Sequence, residues 1–157
     1  MKIRHEWNMP NKKTFSVPVI GAFVEYYLKQ SKISIDPFAR NYQGCTYTND
    51  LNPDTKAEYH MKALDFLELM CTRGIKADLI VFDPPYSMEQ CKRVYESFGY
   101  NFTYTDTISI ISWAYEKKVI QNLLKKDGIF LHFGWHSNGM GKTRGFAIEE
   151  ILLVGHG

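Results

Sequence analysis

Asp83, Pro84, Pro85 and Tyr86 are the residues of this chain whose types and spacing most directly suggest chemistry. Neither proline has a backbone donor and both hold φ at about −65°, so the stretch continues neither strand nor helix, and its carbonyls stay free to accept hydrogen bonds. A carboxylate, a free carbonyl and an aromatic face held together suit a flat ligand bearing an amino group. The oxygens accept from its N–H groups while the ring stacks, which is the chemistry of a nucleobase site. The plain alternative is a strand ending in a Pro-Pro turn with a surface tyrosine. Two other acidic turns raise the same question: Asp36, Pro37, Phe38, Ala39, Arg40 and Asn41, then Asp50, Leu51, Asn52 and Pro53. Asp and Pro are also ordinary turn formers, so the flanking elements have to bring the three turns together.

Each turn follows an apolar run. Ile33 to Asp36 alternates as a short strand, Cys45 to Thr48 reads as a second, and Leu79, Ile80, Val81 and Phe82 complete a buried strand over Asp78–Phe82. A brief third strand is expected at Tyr59–Met61. Helical spacing marks Val19 to Leu28, opened by Pro18 in the first turn, then Ala63 to Cys71 and Met88 to Phe98. Thr105, Asp106 and Thr107 offer N-caps for one long helix with Ile111, Ala114, Val119, Ile120, Leu123 and Leu124 inward. It is expected to end near Lys125 and Lys126, with Gly128 in the left-handed position. Ile129 to Phe133 reads as a strand, Gly134 to Lys142 as a Gly-rich loop, and Phe146 to Val154 as a closing strand. Residues 1–16, with Pro10 and no sustained period, read as an irregular arm. Strands alternating with helices predict an α/β fold with a doubly wound, mostly parallel sheet and ligands at the carboxyl ends of its strands, where all three turns fall.

Composition narrows the classes. A chain of 157 residues suits a single domain with no separate target-recognition domain, and 45% hydrophobic with 23% charged residues is ordinary for a globular protein. No apolar stretch reaches the roughly 20 residues of a membrane span, and the first residues resemble no leader, so a cytoplasmic protein is expected. Cys45, Cys71 and Cys91 have no metal-ligand spacing and are expected reduced, and no metal site is expected. A net charge of +2 is no footprint of a strong polyanion binder, so any such contact is local. Lys12 with Lys13, Lys117 with Lys118, and Lys125 with Lys126 read as solvated faces. Lys142 and Arg144 follow the Gly-rich loop and are candidates for phosphate contact.

The Asp-Pro-Pro-Tyr quartet resembles the motif of the amino-methyltransferases, and the chain from about 14 to 156 looks like the Rossmann-like S-adenosylmethionine (SAM) dependent fold of the small phage or prophage DNA adenine methylases. Thr14, Phe15 and Pro18 resemble the family's lining of the methionine end of SAM. Asp36, Pro37 and Phe38 match the start of its cofactor loop, with Ala39, Arg40 and Asn41 replacing the usual glycine-containing continuation. Asp50 and Leu51 resemble the segment whose carboxylate takes the ribose hydroxyls. Lys62, with Asp65 three residues on, stands where a further acidic residue usually meets the cofactor's adenine. Residues 134–140, including Trp135 and Asn138, resemble a loop of the phage subfamily, here expected with Lys142 and Arg144 to face nucleic acid. Only one strand follows that loop, so the family sheet is expected to lack a final strand, leaving an open edge or one completed by another subunit.

The resemblance implies direct methyl transfer to the exocyclic amino group of a DNA base, most simply N6 of adenine, with Asp83, Pro84, Pro85 and Tyr86 as the catalytic group and SAM as cofactor. The alternatives are an RNA base methyltransferase and a non-catalytic subunit that binds SAM or nucleic acid.

Overall fold

The computed structural model describes residues 1–155 except Pro10 and Lys12, and leaves aside the side chains of Ile108, Ser109 and Ile111. Pro10, Lys12 and the Ile111 side chain, named above, therefore fall outside the description. The elements in chain order are β1 (Lys2–Trp7), α1 (Pro18–Leu28), β2 (Ser34–Asp36), β3 (Tyr47–Thr48), α2 (Ala63–Thr72), β4 (Ala77–Phe82), α3 (Met88–Ser97), α4 (Tyr104–Ser112), α5 (Ala114–Leu123), β5 (Leu124–His132) and β6 (Glu150–Gly155).

The main sheet has the order β3-β2-β4-β5 with every pair parallel. A parallel bridge between Asn49 and Tyr59 adds the rudiment of the expected third strand beyond β3. β4 is central and buried on both faces, which explains its unbroken apolar run. Its alternation sorts the two cores. Leu79 and Val81 pack with Val24 of α1 and Leu131, whereas Ile80 and Phe82 pack with Phe66, Leu67 and Met70 of α2 and Ile120 and Leu123 of α5. The sheet is thus doubly wound, mostly parallel and flanked by helices, a topology of the Rossmann-like SAM-methyltransferase type.

Four expectations are corrected. Lys2–Trp7 is a strand rather than part of an irregular arm. It pairs in parallel with β6, a partner so distant in sequence that no local pattern announces it. The closing strand is shorter than Phe146–Val154 and joins β1 in a separate two-stranded sheet, away from the edge of the main one. The long helix is two helices, broken at Trp113 with φ +52°, whose ring is buried against Phe38 and Phe82. Finally, Lys125 and Lys126 lie in β5. Leu124 already pairs with Ala77, the next pairing is Leu79 with Ile129, and the intervening residues bulge with Asp127 at φ +64°, so Gly128 is not the left-handed residue.

Candidate functional site

Neighbouring parallel strands end side by side, and their turns converge. β2 ends at Asp36, which is fully buried. Its Oδ1 accepts from the Phe38 amide at 2.9 Å, while Oδ2 is buried without a hydrogen-bond partner among the described residues. Burial, followed by the charges of Asp83 and Asp50, pushes its pKa up to about 8 against the opposing Phe38 hydrogen bond and Arg40 charge. A cation brought to Asp36 would relieve that penalty.

The loop after β2 is pinned to the loop after β3. Ala39 N–H donates to the Asn49 carbonyl, Asn49 N–H to the Asp36 carbonyl, and the buried Asn49 side chain donates to the carbonyls of Pro37 and Met61 while accepting from the Met61 amide. Asp50 Oδ2 accepts from the Arg40 amide at 3.0 Å and Oδ1 from the Asn52 amide at 2.9 Å. A carboxylate oxygen takes more than one donor, so both oxygens retain capacity for hydroxyl groups. Arg40 adopts φ +52°, a conformation held by this carboxylate.

β4 delivers Asp83, which is only 5% exposed. Tyr86 Oη donates to Asp83 Oδ1 at 2.7 Å, and the Thr14 side chain also hydrogen-bonds to this carboxylate. Burial raises the Asp83 pKa, opposed by the Thr14 and Tyr86 hydrogen bonds and by Arg40. The tyrosine's own pKa is raised by burial and by the Asp83 carboxylate. Thr14 reaches Asp83 because its segment lies tight on α1: a side chain at Gly21 would sit 2.6 Å from the Phe15 carbonyl oxygen, so only glycine permits the approach.

A cleft of about 470 Å³ runs between these turns, lined on one side by Phe38, Arg40, Asp50 and Leu51 and on the other by Asp83, Pro85 and residues of α3. Of the residues expected to meet a cofactor, Pro37, Phe38, Arg40, Asn41, Asp50 and Leu51 line it. Asp36 and Ala39 lie buried beside it, Pro18 starts α1, and Phe15 packs edge-on to Tyr42 and Phe133. In the Gly-rich loop, Trp135 is brought beside Tyr86, ring centroids 6.1 Å apart, and is 72% exposed. Asn138 and Lys142 are exposed on that loop, whereas Arg144 turns back to donate to the Met140 carbonyl at 3.0 Å.

Sequence reasoning missed the far wall. Val94, Tyr95 and Phe98 read as a core stripe, yet they line the cleft with Gln90, because the helix that follows the proline turn must cross the strand ends. Lys62, also in the lining, holds Asp106 Oδ1 at 3.3 Å and lies 4.8 Å from the Tyr95 ring centroid. No sequence signal tied α4 to this wall.

The sheet order and the cleft at its carboxyl edge are consistent with a Rossmann-like SAM-binding fold in general. No protein-family model matches the chain, and neither the curated proteins nor the solved structures contain a significant match. Among the described residues no helix is long and apolar enough to cross a membrane, and no group of three or more His, Cys, Asp or Glu is arranged to hold a metal ion.

Proposed function

We propose that this chain is a SAM-dependent methyltransferase acting on the exocyclic amino group of a DNA base, N6 of adenine in the simplest case. One observation carries the reading. The Asp83 carboxylate, held from behind the cleft by the Tyr86 phenol, lines one wall of a cleft whose other wall is the loops that follow Asp36 and contain Asp50.

The residues suit the cofactor. Asp36, buried and short of a partner, matches the ammonium of an amino-acid tail, and Asp50 with two accepting oxygens matches a ribose diol. Leu51, Phe38 and Met61 supply apolar lining for a ring. When bound, SAM supplies an electrophilic methyl group. The chain's own task is orientation. Asp83 and the Pro84 carbonyl would accept hydrogen bonds from the amino group of the base, favouring a pyramidal nitrogen whose lone pair is withdrawn from conjugation with the ring, and Asp83 would take the proton that the nitrogen gives up on methylation. The exposed faces of Tyr86 and Trp135 hold a base that has left its stack, and Asn138 and Lys142 contact the flanking strand.

The test is mass spectrometry of nucleosides from DNA and RNA incubated with the protein and isotopically labelled SAM, with Asp83→Ala as control. Labelled N6-methyladenine in DNA, absent from the control, supports the proposal. Label in RNA alone moves the substrate, and SAM binding without label in either polymer favours a non-catalytic subunit.

A further inference from the structure

The small β1–β6 sheet packs Arg4 and Glu150 toward α1 and leaves Ile3, Trp7 and Leu153 on its exposed face. On the inner face Arg4 Nε meets Glu150 Oε1 at 2.7 Å, Tyr27 Oη donates to Glu150 Oε2 at 3.1 Å, and the Arg4 guanidinium lies over the Phe23 ring. Strand alternation sends Ile3, His5 and Trp7 to the other face, in register with Ile151, Leu153 and Gly155. Ile3 is 50% and Trp7 77% exposed, and Met1, Met9 and Leu153 are exposed with them. A two-stranded sheet is marginal in water unless more strands or a packed face support it.

The free edge of β1 has a definite phase. Lys2 N–H donates to the Glu149 carbonyl and Asn8 N–H to the Gly155 carbonyl, so the even residues spend their backbone groups on β6. Ile3, His5 and Trp7 therefore point theirs to the open edge. Read about His5, residues 1–9 are also self-complementary: Ile3 corresponds to Trp7, Arg4 to Glu6, and Met1 to Met9. Glu6 has no ion pair among the described residues.

From this juxtaposition we infer that β1 is a homodimerisation strand, pairing antiparallel with β1 of a second copy about a two-fold axis at His5. The axis pairs each strand's outward residues with those of the other. Ile3 and Trp7 of the second copy exchange backbone hydrogen bonds, as do the two His5 residues, which uses the groups the edge leaves free. The same register sets Arg4 opposite Glu6 of the second copy on the inner face and Ile3 beside its Trp7 on the outer face, both favourable cross-strand pairs. The product is a four-stranded sheet of order β6-β1-β1-β6 with closed two-fold symmetry. A second copy fits better than an unrelated partner because the complementarity lies within one strand.

Sedimentation of the full chain tests the inference. The expected species has twice the 18.3 kDa chain mass, and Trp7→Asp, at an exposed position, shifts it to monomer with an unchanged circular dichroism spectrum. Hydrogen exchange of the unsubstituted protein is expected to show protection of residues 1–9 that increases with concentration. Cysteine pairing reads the register. His5→Cys cross-links to itself on oxidation, since hydrogen-bonded antiparallel residues lie about 5.5 Å apart between Cα atoms, within disulfide reach. Ile3→Cys cross-links only to Trp7→Cys. A monomer at all accessible concentrations, a dimer indifferent to Trp7→Asp, or Ile3→Cys linking to itself as readily as His5→Cys would each overturn it.

Discussion

The Tyr86 hydroxyl donates to Asp83 Oδ1 at 2.7 Å, tying the ring of the proline turn to the carboxylate that opens it. This bond stabilises the ionised form of Asp83, against the burial that raises its pKa. Tyr86→Phe keeps the ring and removes the donor, so the Asp83 pKa moves further up. If the proposed function holds, the acidic limb of a methyl-transfer profile is then expected at higher pH, with the alkaline rate close to that of the unsubstituted protein. Tyr86→Ala also removes the stacking face, worth about 1–3 kcal/mol per base, and should lower the rate by roughly 5- to 150-fold throughout. Single-turnover rates across pH distinguish the two variants.

Asp36 gives a prediction with a definite sign. Its pKa is pushed up to about 8 in the folded protein, first by burial, against about 3.9 when exposed. Between those values the folded protein keeps a proton that the unfolded chain has released. Stability from this group therefore falls as pH rises through the window and levels off above it. Asp36→Asn removes the titration. In denaturant unfolding, the unsubstituted protein should lose roughly 2 kcal/mol more than the variant between about pH 6 and about pH 8. Asp83 shifts in the same direction and contributes to both proteins alike. A cationic ligand that holds Asp36 ionised should release a proton on binding below pH 8, visible as a buffer-dependent enthalpy.

Asp50 links the loop after β2 to the cleft through the amides of Arg40 and Asn52. Asp50→Ala leaves both without this acceptor and releases the left-handed conformation at Arg40, for a stability loss of about 1–3 kcal/mol. On the proposed function, SAM affinity measured by titration calorimetry should fall by at least about tenfold, because one charge-assisted hydrogen bond contributes about 1.5 kcal/mol or more. Asp50→Asn keeps one accepting oxygen and should lie between the two.

What the sequence made legible was local. The strand runs ending in Asp36 and Phe82 and the spacing of α1, α2 and α3 are periodic signals, and they suffice to predict a mostly parallel sheet with three acidic turns at its carboxyl ends, though not the strand order. What stayed hidden depends on distant partners. β1 is a strand because β6 pairs with it, and Lys62 belongs to the cleft wall beside Asp106 and Tyr95, contributed by later helices. Trp113 breaks a helix whose spacing continues through it, because its buried ring contacts Phe38 and Phe82, and tertiary packing overrides the local pattern. At the site, Thr14 stood out with Phe15 and Pro18 by resemblance alone; its bond to the Asp83 carboxylate depends on tertiary packing, in which the Phe15 carbonyl lies close against Gly21.

The junction of α5 with β5 gives the sharpest contrast between a helix end and a bulged strand. In a helix terminated near Lys126, Gly128 would hold the left-handed position and Asp127 would gain nothing from replacement by glycine. Here Asp127 is exposed with φ +64°, whereas a Cβ at Gly128 would lie 3.0 Å from the Lys125 carbonyl oxygen and 3.3 Å from that of Ala77. Asp127→Gly should relieve a strained conformation and raise stability by about 0.5–1 kcal/mol. Gly128→Ala presses a methyl group onto the backbone carbonyls of Ala77 in β4 and of Lys125 in the bulge, and should cost about 1–3 kcal/mol. Urea unfolding of the two variants should therefore move the midpoint in opposite directions at adjacent residues. The sign at Asp127 decides the matter, because a gain requires the left-handed residue to be Asp127, and a loss would return that conformation to Gly128 and the helix to Lys126.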